Sequence, residues 1–104
     1  MTQPYKIRKQ PEAIPGALRT LLEGVETATI GHFEYVGFAG AGIVPVFPTK
    51  AVGTAVTVAA PGRDGAVIYR AIDLLRPGDV LVISRVDRDD VACVGGGVVA
   101  AARA

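Results

Sequence analysis

The sequence predicts an α/β domain, and three observations carry that prediction. Val52-Gly53-Thr54-Ala55-Val56-Thr57-Val58 alternates and is rich in β-branched residues, the pattern of a strand. A helical pattern over 65–75 comes next, followed by the wholly apolar run Val80-Leu81-Val82-Ile83, which reads as a buried strand. Strand, helix and strand within about 30 residues make a βαβ unit over residues 52–84, with its two strands parallel or near neighbours. The third observation is the triple glycine Gly95-Gly96-Gly97, which opens an alanine-rich helix running to the end of the chain.

Each element has a local reason. Residues 1–11 are polar, contain Pro4 and Pro11, and read as an extended N-terminal arm; residues 12–104 read as one domain. The stretch 14–22 predicts a helix. Pro15 suits its first turn, Leu18, Leu21 and Leu22 share a face, and Gly24 stops it. Thr27 is the expected N-cap of a second helix through about Val36, with Ile30 and Phe33 on its inner face. Gly37-Phe38-Ala39-Gly40-Ala41-Gly42 is a connector. It is not a dinucleotide fingerprint, because Pro45 stands where the third glycine belongs and no strand precedes it. Pro45 and Pro48 keep the following stretch extended. Pro61-Gly62 turns the chain, and Asp64 is the expected cap of helix 65–75, whose Val67, Ala71, Leu74 and Leu75 share a face. Leu75-Arg76-Pro77-Gly78-Asp79 then turns the chain into the second strand.

Composition sets limits. A chain of 104 residues with 50% hydrophobic and 20% charged residues has enough apolar material for one globular domain and is not of disordered type. Its net charge of +1 lacks the broad basic face that nucleic acid requires, and Lys6-Ile7-Arg8-Lys9 reads as a solvated arm, so no nucleic-acid partner is expected. No apolar run reaches the roughly 18 residues of a membrane span, and no signal-peptide pattern opens the chain. The single cysteine, Cys93, excludes an internal disulfide and fits a reducing cytoplasm. A core of small residues, with no Trp, predicts that neighbouring subunits supply part of the stability.

Few residues carry candidate chemistry. Backbone amides at Gly95, Gly96, Gly97 and Val98 converge at a helix start and can capture a carboxylate or phosphate; the same glycines can instead serve close packing. No Gly-Lys-Ser/Thr follows them, which excludes a Walker loop. Asp87, Asp89 and Asp90 offer oxygen ligands for Mg²⁺, or form a solvated turn paired with Arg85 and Arg88. His32 is the only histidine, so an imidazole-based site would need ligands from another chain. Cys93 lies among Val91, Ala92 and Val94, surroundings that favour an inert thiol.

Four ordered blocks resemble the RraA-like family, which includes the regulator of ribonuclease E activity A and the divalent-metal 4-hydroxy-4-methyl-2-oxoglutarate aldolases. They are Thr27-Ala28-Thr29-Ile30-Gly31-His32-Phe33, the 52–58 strand, the run from Leu75 to Ile83, and Ala92-Cys93-Val94-Gly95-Gly96-Gly97-Val98-Val99-Ala100. The resemblance implies a swivelling β/β/α fold, of which this chain is the N-terminal part. It also implies trimers or hexamers with sites at subunit interfaces. By the aldolase match, Gly97 and Val98 supply amides to the carboxylate of a small 2-keto acid, while Mg²⁺ or Mn²⁺ stabilises the pyruvate enolate as carbon–carbon cleavage or oxaloacetate decarboxylation proceeds. Gly96 stands where those enzymes carry an acid. Their Asp-Gly-x-x-Arg-Asp segment, which holds the metal ligand and the substrate arginine, would lie past Ala104, so the domain reads as truncated at its C-terminus. The family resemblance equally implies an alternative, a non-catalytic protein-binding regulator of ribonuclease activity.

Overall fold

The computed structural model describes residues 6–61, 65–86 and 94–104. They fall into two compact units, one of residues 14–53 and one of residues 1–13 with 54–104. The Arg63-Asp64 pair, Asp87, Arg88, Asp89, Asp90 and Cys93 lie outside the described residues.

The unit of residues 14–53 carries two helices, α1 (Gly16–Glu23) and α2 (Thr27–Ile30). Pro15 occupies the N-cap position of α1, with its carbonyl taking the Arg19 amide at 3.0 Å, so its missing N–H costs nothing. Gly24 ends the helix, as the sequence predicts. The carbonyls exposed there are met by Lys50, whose ammonium donates to Glu23 O at 2.8 Å and to Val25 O at 2.5 Å. A cation at a helix C-terminus satisfies orphan carbonyls and opposes the negative end of the dipole.

Helix α2 differs from expectation. Glu26, not Thr27, occupies the N-cap position, and no side chain caps the helix. It stops at Gly31 rather than near Val36, where tighter bonds from His32 N to Thr29 O and from Phe33 N to Ile30 O close a final turn. Gly37 follows at φ 90°, a left-handed conformation that excludes further helix. Phe33 is therefore 83% exposed instead of facing inward, and Leu21 is 65% exposed.

The second unit is a mixed α/β arrangement built from β1 (Thr54–Ala60), α3 (Ala66–Ile72), β2 (Asp79–Arg85) and α4 (Gly96–Arg103). Strands β1 and β2 form a two-stranded parallel sheet, paired from Thr54↔Asp79 to Ala60↔Arg85. This is the βαβ unit that the spacing predicts. Side chains alternate along β1, and Thr54, Val56 and Ala60 are buried beneath α3. From α3 come Ile68, which is fully buried, and Ala71. The helical face is thus centred on Ile68, one residue beyond the predicted Val67, and Val67, Leu74 and Leu75 are half-buried at its margin. Helix α3 begins after Gly65 and is shorter than predicted. Strand β2 is half-buried rather than buried, with Val82 45% exposed. Its second face has no covering layer among the described residues, because helix α3 covers only one side of the sheet.

The turn between α3 and β2 is built around Asp79, whose side chain is 1% exposed. It accepts the Arg76 amide at 2.8 Å and the Arg76 Nε at 3.1 Å, while the Asp79 amide returns a bond to Arg76 O at 3.0 Å. Gly78 at φ 88° makes this reversal possible without a Cβ clash. Gly78 O then accepts the Thr54 amide at 3.3 Å, which sets the first rung of the sheet. Arg76 also reaches Pro11 O at 2.9 Å, and Gln10 donates to Leu74 O, so residues 10–11 of the arm are docked on this unit.

Burial pushes the Asp79 carboxyl upward, but the bonds from the Arg76 amide and guanidinium and the Arg76 charge outweigh it and hold the group below its ordinary pKa. A lowered folded-state pKa contributes stability that is whole above the unfolded value of about 4 and is lost as pH falls through the folded value. Urea melts of the full chain between pH 6 and pH 2 should therefore show acid destabilisation that D79N flattens, with D79N less stable than wild type at pH 6. Removing Ile68, the one large side chain with no exposure among the described residues, should cost about 2–4 kcal/mol as I68A, read as a lower urea midpoint at unchanged slope.

Candidate functional site

Helix α4 starts without any of the usual devices for satisfying its first amides. Gly95 occupies the N-cap in an extended conformation, φ −134° and ψ −171°, and has no side chain to offer. No acid lies in the first turn. The first bond of the helix runs from Val99 N to Gly95 O at 3.1 Å. The amides of Gly96, Gly97 and Val98 consequently have no acceptor among the described residues. Three free N–H groups and the positive end of the dipole converge there, which is the electrostatic requirement for holding a carboxylate or a phosphate.

The surroundings leave the space open. A Cβ built on Gly95 or Gly96 would meet nothing within 4 Å, so packing does not demand glycine at those two positions. Gly95, Gly96 and Gly97 are exposed and Val98 is half-buried. Gly97 differs, since a Cβ there would come within 3.5 Å of the Tyr69 hydroxyl on α3. Nothing in the residue pattern points to Tyr69 beyond its being an aromatic on the helix of the βαβ unit; the side chain is 48% exposed.

The remaining candidates are scattered. His32 is exposed in the other unit. No three His, Cys, Asp or Glu side chains among the described residues stand together as a metal site, and Asp87, Asp89 and Asp90 are outside those residues. No described helix is long and apolar enough to cross a membrane.

Comparison with protein families matches residues 26–104 to the RraA-like model, described as Aldolase/RraA. Neither the curated proteins nor the solved structures yield a match. The matched stretch contains both strands of the sheet, the Arg76–Asp79 turn and the whole of α4, and by that match the chain belongs to the RraA-like family.

Proposed function

We propose that this chain binds the carboxylate of a small 2-keto acid at the start of α4 and takes part in aldolase or oxaloacetate decarboxylase chemistry. The observation that supports this reading is the set of three amides at Gly96, Gly97 and Val98 that have no acceptor among the described residues, opening a helix with neither a cap side chain nor an acid in its first turn. Fixed amide dipoles of this kind stabilise negative charge on a bound substrate without reorganising. The Tyr69 hydroxyl, which a Cβ on Gly97 would approach to 3.5 Å, is the side chain we assign as a donor to a second oxygen of the same ligand.

Mg²⁺ or Mn²⁺ supplies Lewis-acid stabilisation in this class of reaction. The described residues present no group of three His, Cys, Asp or Glu side chains to hold it. Asp87, Asp89 and Asp90 are the candidate ligands this chain would contribute. A swivelling β/β/α fold and a homotrimeric or hexameric assembly belong to the same reading. They are supported by the family match and by the apolar side chains that residues 33–47 expose, among them Phe33 at 83% and Val46 at 97%.

A second reading is favoured by Gly96, which stands where an acid is expected in the aldolases. On that reading the chain is a protein-binding regulator of ribonuclease activity, and it captures a ribonuclease in a pull-down performed without metal.

Two measurements test the first reading on the full chain. Pyruvate should be released from 4-hydroxy-4-methyl-2-oxoglutarate or oxaloacetate with Mg²⁺ and not with EDTA; equal turnover in EDTA overturns the metal-assisted chemistry. Calorimetry should show oxalate, a dicarboxylate analogue of the pyruvate enolate, binding in a manner that G97P weakens about ten-fold. Proline is tolerated in a first helical turn and removes one amide donor, so circular dichroism should be unchanged.

A further inference from the structure

We infer that the α/β unit holds a second ligand site, a cleft between the N-terminal arm, β1 and α3 that takes the phosphate group of a small phosphorylated metabolite. The cleft encloses about 260 Å³. Lys6, Arg8, Lys9 and Arg70 line it, and among the described residues no carboxylate does. Val56 and Val58 of β1 form part of an apolar wall. The cleft shares no lining residue with the start of α4, so this inference stands apart from the proposed keto-acid chemistry.

The charge distribution is what singles the cleft out. The chain has 11 Lys and Arg against 10 Asp and Glu, yet four of those cations line this one cavity. None of the four makes an ion pair or hydrogen bond with a described residue. Like charges gathered beside an apolar wall repel one another, and an anion relieves that repulsion. The gathering is not that of a loose tail. The bond from Gln10 to Leu74 O and that from Arg76 to Pro11 O hold the arm against α3 just beyond Lys9. Lys6, Arg8 and Lys9 are exposed, as the sequence predicts for a solvated arm, but the docking of residues 10–11 keeps them beside Arg70 at one cleft.

Phosphate fits this set better than a single carboxylate. Two guanidinium groups present planar forks for paired oxygens, and two ammonium groups supply point charges against a dianion. A small ligand fits better than a nucleic acid strand, because the four cations converge on one cavity instead of forming an extended stripe.

The test is calorimetry of the full chain with inorganic pyrophosphate and with ADP, at about 50 mM and about 200 mM salt. One site per chain is expected, weaker at the higher salt. R8Q and R70Q should each reduce affinity about ten-fold, while R103Q, on α4 and outside the cleft, should leave it unchanged. Circular dichroism of each variant checks that the fold is kept. Equal affinity for the two probes assigns recognition to the phosphate group alone; tighter ADP binding assigns an organic phosphate whose remainder rests on the valine wall. No binding of either probe, or an equal loss in R103Q, overturns the site. A short single-stranded oligonucleotide that binds more tightly than ADP, with losses in the same variants, overturns the small-ligand assignment in favour of a nucleic-acid groove.

Discussion

The Asp79 carboxylate receives the Arg76 amide and guanidinium, and this small knot joins four separate pieces of backbone. The end of α3 enters it through Arg76. Strand β2 leaves from it at Asp79, and β1 is attached through the bond from Thr54 to Gly78 O. The arm is held by the same guanidinium through Pro11 O. A buried ion pair is weak evidence for net stability, because desolvation offsets most of its attraction. Its value here is registry. The strand pairing begins at Thr54↔Asp79, and a one-residue slip would turn Val56 away from Ile68 and toward solvent.

The two ends of this unit are built on opposite logic. At the α3–β2 turn the Asp79 carboxyl is hidden, and no buried side-chain polar atom among the described residues lacks a partner. At the start of α4 the first amides have no acceptor among the described residues, and glycine fills positions 95–97. A pairing as complete as the first rigidifies a fold, whereas unpaired donors are retained where something else is to be bound.

The βαβ unit was legible because its signals are local. The alternation of Thr54, Val56 and Val58, the apolar run at Val80–Ile83 and the Pro77-Gly78 turn each lie within a few residues. The glycines that open α4 were legible for the same reason. What escaped were contacts between distant parts. Arg76 and Asp79 are three residues apart outside a helix, a spacing with no standing rule, and Arg76 to Pro11 spans 65 positions. Ile68 was missed because an apolar helix next to apolar neighbours leaves its phase ambiguous by one residue. Helix α2 is shorter than its pattern suggests because it ends at Gly31, while the apolar spacing of Ile30 and Phe33 continues a helical phase toward Gly37. The basic cleft could not be read at all, since it needs the arm and Arg70, more than 60 positions apart, to meet.

That separation has a kinetic meaning. The bonds from Gln10 to Leu74 and from Arg76 to Pro11 close loops of 64 and 65 residues, and the entropy of such closure must be spent before the contacts can repay it. The turn at Gly78 and the helix before it can form from near neighbours, with β1 joining across the length of one crossover. The arm's two bonds need the Leu74 carbonyl and the Arg76 guanidinium, so its docking carries the entropic cost of a long closure, and the cleft it lines depends on that contact being made.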